Sequence, residues 1–359
     1  MMSELRDEQR TFLTSLWHLE DLPRPAYQIT RAVQHETTML ERFQDPQKML
    51  EAQLKEFEAN LRFQGDYVPA FFPYLGTGVF ASAFGCQVEW FEDKDPWALP
   101  IITDDPQRVY ELEPPTVTDG LLGRVLEMTA YFREKTGGRY PIRMTDLQSP
   151  LDTAYLIWKS DQFLMAMYTA PREVHYLLEL VTDLIIRFVK KQREVAGNFI
   201  PLHFPFVWMP DGYGIGISED LLALISPRLF EEFALPYNNR LSEEFGGLFV
   251  HSCGNFVHHL DALAKIKDLR AINFGATETP FSAVADKFSG QVAIIPHIGL
   301  NREIRFDSVL DYVESVLSKK KTNRGLFIII DIRPGYRAHP MQWHEGDEER
   351  VYALIEKYS

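Results

Sequence analysis

The run Gly247-Leu248-Phe249-Val250-His251-Ser252-Cys253-Gly254-Asn255 decides how this chain is read. Gly247–Val250 is apolar on both faces, as a strand buried on both sides of a parallel sheet must be. Gly254-Asn255 then ends the strand in a loop. Residues i and i+2 of an extended segment point the same way, so the imidazole of His251 and the thiol of Cys253 converge at the strand end. Metal ligands, or an acid and a nucleophile, need that convergence. The plain alternative is a His and a Cys packed as small core groups.

Working outward, the same strand-then-helix pattern recurs along the chain. Strand-like runs lie at Pro25–Ile29, Tyr67–Phe72, Tyr140–Thr145, Phe199–Val207, Gly247–His251, Arg270–Phe274, Val292–Pro296 and Leu326–Asp331. Between them come helical patterns at Thr37–Phe63, Asp119–Glu134, Pro171–Val195, Ser226–Phe245, Phe256–Lys267, Phe281–Phe288, Phe306–Lys319 and Glu345–Tyr358. Thr37–Phe63 is amphipathic, and Ser226-Pro227 supplies an N-cap with proline at the first helical position. Eight strands alternating with eight helical regions predict an α/β fold, a (β/α)8 TIM barrel. An open doubly wound sheet is the alternative, but Gly-x-Gly-x-x-Gly is absent. Residues 1–24 read as a short helical N-terminal extension and residues 25–359 as one barrel domain. Gly76–Pro115 reads as an irregular, lid-like insert, broken by Pro96 and Asp104-Asp105-Pro106.

Composition bounds the function. Of 359 residues, 45% are hydrophobic and 25% charged, ordinary for a globular protein. Barrels of this kind run to such lengths as single units. The two cysteines, Cys86 and Cys253, make no disulfide framework and suit a reducing cytosol, so a cytoplasmic location is expected. The N-terminus lacks the apolar core of a signal peptide, and no run approaches the roughly 20 apolar residues that span a bilayer. A formal net charge of −14 argues against nucleic acid or an anionic membrane as the main partner. A few arginines in a cleft would still accommodate an anionic small substrate.

In such barrels reactive groups gather at the carboxyl ends of the strands. Tyr74 follows the second strand and Asp146, Gln148 and Ser149 the third. Trp208, Asp211 and Tyr213 follow the fourth, and His251, Cys253 and Asn255 the fifth. Asn273 and Glu278 mark the sixth, His297 and Asn301 the seventh, and Asp331, Arg333, Tyr336 and His339 the eighth. Strand ends also collect polar residues for capping. A catalytic zinc takes three protein ligands and leaves one position open. His251 and Cys253 supply two, with His339, Tyr336, Glu278 and Asp331 as available donors for the third. In the metal-free reading His251 is an acid/base or anion donor and Cys253 a packing residue. His258-His259 lies on the following helix, where adjacent side chains diverge, and reads as a surface or partly buried pair. The acidic runs Glu231-Glu232, Glu243-Glu244 and Asp347-Glu348-Glu349 read as solvated helix faces.

His251-Ser252-Cys253-Gly254-Asn255 resembles the His-x-Cys-Gly-Asn signature of the uroporphyrinogen decarboxylase superfamily, which includes cobalamin-dependent methyltransferases. Leu75-Gly76-Thr77-Gly78 through Ala83-Phe84-Gly85 is similar to the family's Leu-Gly-x-Gly then Ala-x-Gly segment. Ser226-Pro227 through Phe233 and Pro236-Tyr237 resembles its Ser-Pro-x-x-Phe-x-x-Phe-x-x-Pro-Tyr helix. The tail Ile332–Tyr358 resembles its closing strand, loop and helix. The resemblance implies a TIM barrel. In the methyltransferase branch it implies zinc bound by the His and Cys of the motif and by a second Cys in the loop after the last strand, with the zinc holding an acceptor thiol and favouring its thiolate. His251 and Cys253 match two of those positions. The third departs, because the family's Pro-Gly-Cys appears as Pro334-Gly335-Tyr336, leaving Tyr336 or His339 as the replacement. The decarboxylase branch's Arg-Gln-Ala-Gly-Arg motif has no counterpart, and Phe71–Gly85 lacks its aspartate. A reduced tetrapyrrole needs both devices.

The leading expectation is methyl transfer between a small methylated compound or thiol and a corrinoid. Zinc would sit on His251, Cys253 and His339 or Tyr336, and Asp146, Tyr213, Asn273 and Asp331 would line the cavity. The expected partners are a small-molecule substrate and a corrinoid carrier protein, with a homodimer as the candidate assembly. The second expectation is a metal-independent decarboxylase or lyase. There His251 and Arg333 bind a carboxylate, and Asp146 or Asp331 manages protons. The third is a barrel that binds a ligand without turnover.

Overall fold

The computed structural model describes residues 6–299, 303–332 and 343–359. Its wall is built from parallel strands. Ala26–Arg31 pairs with Phe327–Ile332, with Ala26 opposite Phe327 and Thr30 opposite Asp331. Ile215–Ser218, Leu248–Ser252, Leu269–Gly275 and Ala293–His297 form one continuous four-stranded sheet in that order. An Ile294–Leu326 bridge joins that sheet to the last strand.

The other half of the wall is sparser. The second expected strand, Tyr67–Phe72, holds its place through single contacts. Asp66 N–H donates to the Tyr27 carbonyl and Arg143 N–H to that of Phe71. The third strand is short, Ile142–Arg143, and pairs with Phe199–Ile200. The sheet is therefore continuous only in part, but backbone contacts link each wall segment to the next.

The fourth position corrects the sequence reading. Phe199–Val207 is not one strand: Phe199–Ile200 is a strand, and the wall is completed by Ile215–Ser218. Gly216 N–H donates to the Pro201 carbonyl, and Ser218 bridges Gln148 on the third segment. Two short strands thus share one place. The chain between them runs from the mouth back to the opposite end. Phe204 packs against His251 and His297, with ring centroids 4.7 and 5.6 Å apart. Val207 and Met209 are fully buried in the inner cluster, and the Trp208 carbonyl accepts a hydrogen bond from Trp17 Nε1. The wall leaves room for this return segment with alanines at Ala26, Ala70, Ala271 and Ala293, all in the inner cluster.

Alternation along the strands sorts two apolar layers. Leu248 and Val250 pack outward beneath the helices, whereas Phe249 packs inward. The helix Asp7–Trp17 lies across the amino-terminal end of the barrel, with Leu13, Leu16 and Trp17 in the inner cluster. The amphipathic stretch Thr37–Phe63 is two helices, Met39–Gln44 and Pro46–Asn60, because Pro46 cannot continue the first. Asp45 caps the second by accepting from Gln47 and Lys48 N–H. Ser226–Phe245 likewise divides, at Ala234, into Pro227–Phe233 and Leu235–Phe245, with Pro236 opening the second helix. Helices at Pro150–Ile157 and Ser160–Thr169 escaped the periodicity reading. The insert at residues 76–115 carries a one-turn helix, Val79–Ala83, and a two-stranded antiparallel ladder, Val88–Glu89 with Trp97–Ala98. Among the described residues no helix is long and apolar enough to cross a membrane.

Candidate metal centre at the barrel mouth

His251 and Cys253 stand where the fifth expected strand leaves the wall. Gly254 follows with φ of +81°, a conformation open to glycine, and a Cβ there would lie 2.8 Å from Ala223 Cβ. Being two residues apart at the strand end, the two side chains fall on one side, with Cys253 Sγ 3.4 Å from His251 Nε2.

A third donor completes the group. Asp220 follows the strand Ile215–Ser218, and its Oδ1 lies 3.9 Å from His251 Nε2 and accepts the Cys253 N–H at 2.7 Å. One ligand atom from each of Asp220, His251 and Cys253 falls within 4.8 Å of the other two. Ligands at zinc bond lengths of about 2.0–2.3 Å stand about 3.3–3.8 Å apart in a tetrahedron. The His–Cys edge falls in that range and the His–Asp edge just beyond it. Asp220 is 45% exposed on its side chain, so one face of the cluster opens to solvent. Asp220 was not among the expected ligands. Reading the fourth strand as Phe199–Val207 hid the alternation Gly214-Ile215-Gly216-Ile217 that ends in Ser218-Glu219-Asp220.

Surrounding groups hold the donors in place. Asn273 sits opposite His251 in the parallel register, and its Oδ1 lies 2.6 Å from His251 Nδ1. That contact has the geometry that directs Nε2 outward, toward Cys253 and Asp220. Asn273 Nδ2 lies 3.1 Å from His297 Nδ1 and donates to the Ile295 carbonyl. Asp152, at the first turn of Pro150–Ile157, accepts the backbone N–H groups of Asp220 and Leu221. Ser149 caps that helix and donates to Glu219 Oε1 at 2.8 Å, while Asn238 donates to Glu219 Oε2. Glu278 accepts Gly254 N–H at 2.9 Å.

Burial sets the protonation states. Desolvation lowers the pKa of His251, with Asp220 opposing, so the ring is neutral and able to ligate. Burial, with Asp220 and Glu278 nearby, pushes the Cys253 thiol well up. A bound cation would invert that balance, since a coordinating thiol is deprotonated. Desolvation raises the Asp146 carboxyl to about 7, with Asp220 and Asp95 adding and a hydrogen bond from Gln148 opposing. Glu219 is likewise raised to about 7 by burial, and Asp152 is well above its ordinary value through burial and its neighbour Glu219. Burial lowers His203 to about 3, and its Nε2 lies 2.9 Å from Ser218 Oγ.

The expected site residues separate in space. His251, Cys253 and Asn273 meet in one cluster, and Asp146 lies buried near enough to feel Asp220. Asp331 lies on the strand paired with Ala26–Arg31, where it accepts from Thr30 at 3.4 Å. Tyr213 does not reach the mouth. It precedes the strand Ile215–Ser218 and packs at the opposite end, against Trp17 and His18, with Arg270 over its ring. The fourth strand begins after Tyr213, which therefore stands at its amino end. Arg333, Tyr336, His339 and Asn301 lie outside the described residues. The histidine pair is partly buried: His259 is enclosed, His258 exposed, and each has Nε2 within 3.3 Å of the Ile225 carbonyl.

The fold and this donor set define a parallel (β/α) barrel with its reactive groups at the carboxyl ends of the strands. The chain belongs to the uroporphyrinogen decarboxylase (URO-D) family, whose sequence model matches residues 26–298. Among solved structures it is similar to a methyltransferase from Methanosarcina mazei, with a TM-score of 0.69, 14% identity and 98% of each chain covered. At that identity the likeness speaks for the fold. A xylose isomerase-like TIM barrel/4-hydroxyphenylpyruvate dioxygenase fusion protein aligns at TM-score 0.33 and 9% identity, over 65% of this chain and 36% of that one, and carries no argument. No curated protein matches the sequence.

Proposed function

We propose that this protein is a zinc-dependent methyltransferase that moves a methyl group between a small methylated compound or thiol and a corrinoid on a carrier protein. The observation that carries the reading is the convergence of Asp220, His251 and Cys253 at a face open to solvent. Asp220 is the third donor beside His251 and Cys253 among the described residues, while Tyr336 and His339, the other candidates for that place, lie outside them. The donor set fits zinc: a neutral imidazole, a thiol and a carboxylate, with the fourth position left for substrate. When bound, the metal supplies Lewis acidity that favours the thiolate of a thiol substrate. Asn273 orients the His251 ring, and Asp152 fixes the Asp220 backbone. Phe204 covers one side of His251 and limits water there.

The test has two parts. Metal content is measured by mass spectrometry on untagged protein reconstituted with zinc, and methyl transfer from methylcobalamin to a thiol panel is followed by the corrinoid spectrum. Stoichiometric zinc, lost in His251→Ala and Cys253→Ser, is expected, together with thiol-dependent demethylation. Absence of zinc after reconstitution ends the metal reading, and zinc without transfer to any thiol ends the methyl-transfer reading.

Asp146 favours a second reading, a metal-independent decarboxylase or lyase. A carboxyl raised to about 7 is suited to proton exchange near neutrality. Carbon dioxide release by metal-free protein from a carboxylated substrate, lost in Asp146→Asn, would mark it.

A further inference from the structure

A cavity of about 620 Å³ opens beside the donor cluster, between the strand Ala26–Arg31, the helix pair Met39–Asn60 and the return segment. None of Asp220, His251 or Cys253 lines it. Phe206 forms part of its wall, and Phe204, two residues earlier, packs on His251, so this aromatic pair separates the two places. Phe43, Phe57, Phe72 and Met49 give the lining an apolar side, and polar groups such as Gln53 and Asn60 share it.

Arg143 is the unusual group in the lining. Its side chain points into the barrel from the third strand and is 2% exposed. One nitrogen, Nη1, donates to the Leu202 and Val207 carbonyls at 3.1 Å each, and the guanidinium carbon lies 5.5 Å from the Phe206 ring centroid. Those are its hydrogen bonds among the described residues, and no carboxylate pairs with it. A buried charge without a counterion is costly. Arg31 and Arg42 add positive charge to the same lining. Of the acids there, Glu56 is bonded to His35, and Asp331 accepts from Thr30.

We infer that this cavity binds a monocarboxylate on an apolar body, with the free edge of the Arg143 guanidinium gripping the carboxylate and the aromatic walls enclosing the rest. The planar guanidinium matches a carboxylate in bidentate fashion. Arg143 is the enclosed arginine of the lining, whereas Arg31 is exposed and Arg42 half-buried, so solvent screens both; one carboxylate matches the enclosed charge, and a phosphate dianion would bring in a second negative charge. The cavity volume lies in the range of small-molecule sites. This inference is independent of the metal centre.

The test is calorimetric binding of hexanoate, phenylacetate and 3-phenylpropanoate to the full chain, each beside its primary amide, with phenylphosphonate as the dianion. Titrations run with and without prior chelator treatment. At least one acid is expected to bind about tenfold or more tighter than its amide, as a charge-assisted pair implies, and equally well after chelation. Arg143→Gln is expected to abolish that preference. Because Arg143 also braces two carbonyls, the acid–amide comparison on the unmodified protein stands alone if the variant does not fold. Equal binding of acids and amides, binding of none of the acids, or tighter binding of phenylphosphonate overturns the proposal. Loss of zinc binding with the carboxylate preference intact would fault only the metal reading.

Discussion

At the residue scale, the cluster depends on groups that position the ligands as much as on the ligands. Asn273 meets His251 because Asn273 and His251 are partners in parallel register, and both face inward. Removing a second ring-nitrogen partner typically costs about 10–100-fold in metal affinity. Asn273→Ala is therefore expected to weaken zinc binding by about that factor in a competition titration with a chromogenic chelator. An unchanged affinity would show that Phe204 and the backbone alone set the ring. Asp146 gives a pH prediction. Its pKa rises from about 3.9 in an unfolded chain to about 7 in the fold. The native state then binds the extra proton between those values, so stability falls as pH rises through that window and the deficit is complete above it. Asp146→Asn is expected to be about 1–3 kcal/mol more stable than the parent near pH 8, and to match it more closely near pH 4, in urea denaturation. Glu219 and Asp152 act with the same sign, so part of the slope should persist in that variant. Equal stabilities near pH 8 would mean that Asp146 ionises there without penalty.

At the element scale, the barrel is closed below by a helix and filled by a strand-to-strand return. Trp17 is 1% exposed, touches Tyr213 and Phe249, and donates to the Trp208 carbonyl. It therefore ties the helix Asp7–Trp17 to both the wall and the return segment. Trp17→Ala is expected to cost about 3–5 kcal/mol by chemical denaturation, the range for emptying a buried indole site. A loss below about 1 kcal/mol would show that the helix docks without that anchor. Far from this end, Asp45 caps Pro46–Asn60. Asp45→Ala should cost about 0.5–2 kcal/mol and leave zinc binding unaltered, since the cap touches no donor. These elements differ in how far local chemistry reveals them. The proline starts at Pro171 and Pro227 are plain in the sequence, because capping is decided within one turn, whereas the break at Pro46 lies inside a stretch whose apolar spacing runs on unbroken. The split strand at Phe199–Ile200 and Ile215–Ser218 is not, because its apolar residues serve two different partners, the wall and the interior.

At the scale of the whole molecule, ligand binding and folding are linked. Zinc at a hundredfold excess over its dissociation constant stabilises a native state by about 2.7 kcal/mol. The midpoint of thermal unfolding should rise with zinc and fall back with a chelator, and the response should vanish in His251→Ala. A rise that survives that substitution would place the metal elsewhere. The sequence by itself determined the alternation of strands and helices, the family signature and the meeting of His251 with Cys253. Each rests on period and spacing within a few residues, where backbone geometry leaves little choice. Tertiary structure alone decided that Asp220 joins them, since it lies 33 residues before Cys253 and arrives by the pairing of two neighbouring strands. It also decided that Tyr213 faces the far end, and that Arg143 is left without a carboxylate partner among the described residues. Such outcomes depend on which distant surfaces pack together, and no local pattern carries that information.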